Sequence, residues 1–415
     1  MNFKSLSIFL TAALTSGLSF AQTTPSVAVE DFKKTVTTQD GKNYPQVNSE
    51  RKVRTSISAP LANKVQLDIG GKKYDMIKDE NGVWTGESAP QDEGFHYYQL
   101  NIDGASVPDP GSLYYYGASR WGSGIEIPAG DKDFFATKDV PHGLLCQTFY
   151  FSKTSNSVRR VYIYLPPNYD KDNSKKYPVL YLQHGMGENE TGWGSQGYTA
   201  QIMDNLIADK KVNPFIIVME NSSVNMGARG PRPQGAPTAA PGQGNAPAAA
   251  ATAQAAPAAG QAGNAAPRTG GPMGGMNFAA EFEKILLTDL VPYIESNYRV
   301  IPDQAHRAMA GLSMGGMQTR SIVIANPDKF SYIGMFSSGT FTPSEIKDID
   351  SFKKKVKLVF MSFGGREGGA ARIQGAADEW NKIGIKGVSY VSPETAHEWH
   401  SWRRSLNEFA PLLFK

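Results

Sequence analysis

At 415 residues the chain exceeds one typical domain, and with 40% hydrophobic residues it can fill more than one core. Its formal net charge of +3 comes from mixed signs spread along the chain without a basic stripe, which argues against a nucleic-acid partner. A single cysteine, Cys146, excludes an intrachain disulfide and lies far from any leader, so no lipidated cysteine is expected; it reads as a small buried hydrophobe rather than a nucleophile.

Lys4, an apolar stretch at 6–18 and the small-x-small triplet Ser19-Phe20-Ala21 predict a secretory signal peptide over 1–21, cleaved before Gln22. The apolar run is too short and too interrupted for a membrane anchor, so export to the periplasm or out of the cell is expected, with no membrane partner. Residues 22–50 read as a polar lead-in. From 51 to 130, short alternating segments (65–69, 83–85, 96–100) are broken by Gly70-Gly71, Asn81-Gly82 and Asp103-Gly104, the pattern of a small all-β, immunoglobulin-like sandwich.

From 131 to 415 strands alternate with helices, which predicts an α/β domain with a mostly parallel sheet. Strands are expected at 158–165, 179–183, 215–219, 332–336, 358–363 and 388–391, with helices at 199–209, 278–298 and 399–413. Residues 226–276 are dominated by Ala, Pro, Gly and Gln, with three arginines as the only charges. They cannot bury enough apolar surface to offset ordering entropy, so a disordered insertion is expected, either passive or a flap beside the sheet's ligand rim.

Gly311-Leu312-Ser313-Met314-Gly315 is a G-x-S-x-G set between a short buried strand at 307–310 and a run of helix formers ending at Asn326-Pro327. Strand, sharp turn and helix together form the nucleophile elbow of an α/β-hydrolase fold, with Ser313 exposed at the turn. A serine hydroxyl needs a base and the base an orienting acid. Of the six histidines, His397 falls in a loop before the closing helix. His400 would lie inside that helix, His96, His142 and His306 away from the rim, and His184 in a glycine turn. Glu367, on the loop after strand 358–363, gives the order Ser313, Glu367, His397; Asp378 is the alternative acid. The oxyanion donors expected are the backbone N–H groups of Met314 and, in the loop His184-Gly185-Met186-Gly187, of Met186.

The segments DVPHG (139–143), RRVYIYLPPNYD (159–170), YPVLYLQHGMGENETGW (177–193), DNLIADKK (204–211), GLSMGGMQ (311–318) and AHEWHSWRRSLNEFAPLLF (396–414) span nearly the whole mature chain. In them the chain resembles the esterase D and feruloyl-esterase group of carbohydrate esterase family 1. Its N-terminal part resembles the early-set sandwiches related to family-48 carbohydrate-binding modules. The resemblance implies Ser313 as nucleophile, His397 as base and Glu367 as acid. Glu367 stands where the family more often has aspartate, Ala396 where it has glycine, and the 226–276 insertion is longer than the family's.

It further implies a secreted serine esterase that removes feruloyl or related hydroxycinnamoyl groups from plant cell-wall arabinoxylan; no metal or cofactor is expected, since the histidines and carboxylates lack ligand spacing and His397 and His400 stand only three apart. Trp193 and Trp399 are the expected aromatic contacts to a phenolic or sugar ring, with core packing as their alternative role. Trp84 stands between the same two roles in the sandwich. Acetylxylan esterase and acyl transferase use the same catalytic groups, and a non-catalytic carbohydrate-binding protein is the reading from another class.

Overall fold

The structure, a computed structural model, describes residues 29–223 and 279–415. The expected signal peptide at 1–21 and the insertion at 226–276 lie outside the described residues.

Strand formation begins inside the stretch read as a polar lead-in. Lys33–Lys34 pairs antiparallel with Gln46–Val47, and Gln46–Val47 continues onto Val53–Ser58. Two-residue strands show no alternation for a sequence reading to detect, although Thr37 and Val47 are buried by their neighbours. The sheet they open runs on through Val83–Glu87 to Ile77–Lys78. A second sheet runs Tyr114–Gly117, Arg120–Ile127, Gly94–Ile102, Val65–Ile69, Lys72–Asp75, with Ala105–Val107 added beside Gly94–Ile102.

Alternation decides which face of these strands turns inward. Along Val65–Ile69 the residues Val65, Leu67 and Ile69 are fully buried while Gln66 and Asp68 are half-exposed. With Val53, Trp84, Leu100 and Ile125 they form one core shared by the two sheets, a β-sandwich. Trp84 belongs to that core, and its indole N–H donates to the Ala59 carbonyl at 3.0 Å.

The second part is an eight-stranded sheet in the order Leu144–Ser152, Ser157–Leu165, Ile216–Glu220, Val179–Gln183, Arg307–Leu312, Tyr332–Phe336, Leu358–Gly364, Lys386–Ser392. The first two pairings are antiparallel and the rest parallel. Helices cover both faces, so the central strands are buried along their whole length and read as continuous apolar runs rather than alternating ones. The helix expected at 278–298 is Ala280–Lys284 and Val291–Asn297 joined by a π-helical turn, Ile285–Leu290. Pro292 has no N–H to give the carbonyl four residues back, which favours a widened turn there.

Sandwich and α/β domain share packing. Phe95 of the sandwich lies in the same core cluster as Trp193, Phe336 and Trp399. The buried guanidinium of Arg403, on the closing helix Trp399–Phe409, forms a two-bonded pair with Glu126 of the sandwich at 2.7 and 2.9 Å. It also gives its Nε–H to the Gln196 carbonyl at 2.7 Å. This geometry satisfies a buried charge with a fork-shaped partner.

Candidate active site

Ser313 is the one residue between strand Arg307–Leu312 and helix Met314–Ala325. It takes φ 50° and ψ −116°, a conformation that a non-glycine residue adopts only when its surroundings impose it. The imposition is visible atom by atom. A Cβ at Gly311 would lie 2.4 Å from the Gly315 carbonyl carbon, and one at Gly315 would lie 2.5 Å from the His184 carbonyl oxygen. One at Gly316 would lie 2.1 Å from Ser338 Oγ, so strand, turn and helix close up only where these side chains are missing. The Ser313 N–H is held by the Phe336 carbonyl at 2.8 Å.

The three residues expected to act together are together. His397 Nε2 lies 2.9 Å from Ser313 Oγ, and His397 Nδ1 lies 2.8 Å from Glu367 Oε2. Glu367 is reached by a tight turn after strand Leu358–Gly364, in which its own N–H donates to the Gly364 carbonyl at 3.0 Å. Its other oxygen, Oε1, accepts from the Gly364 N–H at 2.8 Å and from the Ser337 hydroxyl at 2.6 Å. Burial alone would raise the Glu367 carboxyl, but the hydrogen bonds from His397, Ser337 and Gly364 outweigh it and hold the group below its ordinary range. A carboxylate ionised at neutral pH follows, facing the imidazole N–H.

Ser337 and Trp402 are parts of this arrangement that the sequence reading passed over. The Trp402 indole N–H donates to Ser337 Oγ at 3.0 Å, and its ring meets the His397 ring edge to face at 5.1 Å. Ser337 follows directly on strand Tyr332–Phe336, at the strand end where a rim residue belongs, and that position was the available signal.

The other candidates are engaged elsewhere. Asp378 is exposed on helix Ile373–Lys382 and accepts from Gln374 at 2.8 Å. His142 pairs with Asp204, His306 with Asp303 and His400 with Asp131, and His96 meets the Asp92 carbonyl. His184 is buried. Its Nε2 accepts from the Ser222 N–H at 3.0 Å, which leaves Nδ1 to donate to the Gly185 carbonyl at 2.8 Å, the shaping role expected of it.

The loop after His184 lies against the serine. A Cβ at Gly185 would sit 3.4 Å from Ser313 Cβ, and the turn is closed by the Glu188 N–H on the Gly185 carbonyl at 3.2 Å. Met186 stands in that turn with its side chain 41% exposed. Met314 opens its helix, where backbone N–H groups have no partner within the helix.

Trp193 and Trp399 do not line a binding surface. They are 1% and 2% exposed and meet each other edge to face at 5.5 Å. The Trp193 indole N–H donates to the Gln183 carbonyl at 2.9 Å and that of Trp399 to the Tyr97 hydroxyl at 3.2 Å. The expectation that they stack on substrate is corrected: the loop 185–198 folds inward over the sheet end and turns both indoles into its support.

An eight-stranded, mostly parallel sheet, a strained serine turn and a histidine–carboxylate pair on the following loops together define an α/β-hydrolase. The esterase family model matches residues 152–254 and 255–412, and the chain belongs to that family. It is 41% identical over 394 residues to the endo-1,4-beta-xylanase/feruloyl esterase of Xylanibacter ruminicola, covering 93% of this chain and 48% of that protein. A second relative, endo-1,4-beta-xylanase Y of Acetivibrio thermocellus, is 25% identical over 43% of this chain and 13% of its own length. The chain thus spans about half or less of the curated relatives it matches. Among solved structures, the enterobactin esterase of Shigella flexneri covers 87% of this chain and 92% of its own at a TM-score of 0.55 and 12% identity, a likeness of fold.

Proposed function

We propose that this esterase hydrolyses ester-linked hydroxycinnamoyl groups, feruloyl above all, on plant cell-wall xylan, through an acyl-enzyme formed on Ser313. The observation that carries the mechanism is the unbroken chain from Ser313 Oγ to His397 to Glu367. In it His397 takes the Ser313 proton as Oγ attacks the ester carbonyl, and Glu367 holds the imidazole with Nδ1–H toward itself and stabilises its cation. The N–H groups of Met314 and Met186 take the oxyanion. His397 then hands its proton to the departing sugar hydroxyl, and water, activated by the same imidazole, releases the acid.

The substrate class is supported by the name of the 41% identical relative, which joins a xylanase to a feruloyl esterase. Export is part of the same reading, because a wall polysaccharide is met outside the cytoplasm and residues 1–21 have the leader pattern.

The test compares rates on methyl ferulate, methyl coumarate and acetylated xylan for the wild-type protein and Ser313→Ala. Release of hydroxycinnamate by the wild type and a loss on the order of 10⁴-fold or more in Ser313→Ala, with unchanged circular dichroism, are expected. Fast deacetylation with no hydroxycinnamate released would make it an acetylxylan esterase. Activity surviving in Ser313→Ala would overturn the nucleophile.

A further inference from the structure

The loop that faces Ser313 is held from the side of the N-terminal sandwich. Tyr97, in strand Gly94–Ile102, places its hydroxyl 2.8 and 3.0 Å from the two carboxyl oxygens of Glu188, two residues beyond Met186. The same oxygen receives the Trp399 indole N–H at 3.2 Å, two residues beyond His397, and the Gln196 amide N–H at 2.6 Å. A phenol has one proton to give and two lone pairs to fill, so this hydroxyl is fully committed. Glu188 is 9% exposed, which makes its partners the substitute for water.

A second contact from the sandwich meets the same loop one residue earlier. The hairpin Tyr114–Gly117 to Arg120–Ile127 turns at Ala118-Ser119, whose φ values of 50° and 63° place two non-glycine residues in the left-handed region. The tip so formed gives the Ser119 N–H to the Gly187 carbonyl at 2.8 Å. Gly117 has to be bare, because a Cβ there would lie 2.1 Å from the Tyr97 ring. The Gln196 amide also reaches the Tyr116 carbonyl at 2.8 Å, so hairpin, ring and loop form one hydrogen-bonded unit.

We propose that Tyr97 is a positioning residue of the esterase: its hydroxyl couples the loop that supplies the second oxyanion donor to the helix behind His397, so the sandwich completes the catalytic site for any ester, polymeric or small. The proposal rests on the roles given above to Ser313, His397 and the Met186 N–H. Its physical basis is that an oxyanion donor works only at its proper distance from the developing charge, and displacement of about 1 Å costs on the order of 10²-fold in rate. A binding role would appear in KM and on polymers; a positioning role appears in kcat on every substrate.

The test uses the full chain with Tyr97→Phe, which keeps the ring and removes the hydroxyl, and Glu188→Leu, which keeps about the bulk and removes both oxygens that the hydroxyl meets. Steady-state rates on p-nitrophenyl acetate and methyl ferulate are measured beside thermal unfolding. A fall in kcat of about 10- to 100-fold, equal on both esters, with KM within about twofold and folding retained, is the expected result for both variants. Unchanged kcat, or a loss confined to KM, overturns the proposal. If Tyr97→Phe does not fold, Glu188→Leu decides by the same criteria. Ser313→Ala is run alongside: activity remaining there means the reading of the site has failed, whereas an inactive Ser313→Ala beside a fully active Tyr97→Phe refutes the coupling alone.

Discussion

Glu367 is fixed through both of its oxygens, one by His397 and the other by Ser337 and the Gly364 N–H. The tight turn that follows Gly364 brings the Glu367 carboxyl to His397. Glu367→Gln keeps the shape but brings an amide N–H to a carboxylate position, favours the wrong imidazole tautomer and removes the charge facing the imidazolium. A loss of about 10³- to 10⁴-fold in kcat with unaltered unfolding is expected, measured on a p-nitrophenyl ester. Retention of more than a tenth of the rate would mean that another carboxylate orients His397. The meeting of Glu367 and His397 beside Ser313 was legible from chain order, because an α/β-hydrolase fold brings successive rim loops to the same sheet end. Ser337 and Trp402 were not, because a hydroxyl and an indole carry no charge pattern and act only through the geometry of three separate elements.

At the scale of the element, the serine turn is a junction in which glycine is required by contact. Helix Met314–Ala325 is anchored on the sheet through Gly315 and Gly316, and the second of these faces Ser338 Oγ at 2.1 Å and the Gly311 carbonyl at 2.8 Å from a would-be Cβ. Gly316→Ala is therefore an overpacking change, worth about 1–3 kcal/mol of destabilisation by urea titration, with activity reduced further because the strain is delivered one turn from Ser313. An alanine accommodated without loss of stability would show that the helix can slide away from the strand. The long buried strands were readable as elements from apolar runs of the right length between turn signals. The π-helical turn Ile285–Leu290 and the two-residue strands Lys33–Lys34 and Gln46–Val47 were not, since each depends on a neighbour rather than on a period.

For the whole molecule, the polar groups buried where sandwich and α/β domain meet make stability depend on pH. Burial pushes the Glu188 carboxyl up to about 8 and that of Glu398 up to about 7, both from 4.5. Burial also pushes His400 down to about 4 from 6.5, which acts only on the acid side of 6.5. Between pH 6.5 and 8 the folded chain keeps protons that the unfolded chain has released, so stability falls as pH rises through that window and levels off above it. Urea midpoints at about pH 6.5, 7.5 and 8.5 should fall at each step, more steeply over the first than the second; a midpoint rising across the first two would contradict the burial of these carboxyls. The amino-acid sequence by itself determined the two architectures, the elbow at Ser313 and the loops that carry Glu367 and His397, because alternation, apolar runs, glycine spacing and loop position are local properties of a chain. Only the tertiary structure decided that Trp193 and Trp399 are supports and not contacts, that Ser337 anchors the acid, and that Tyr97 and Ser119 of the sandwich hold the loop opposite Ser313. Burial and hydrogen bonding between residues far apart in sequence are set by how the domains close on each other, and no local pattern encodes them.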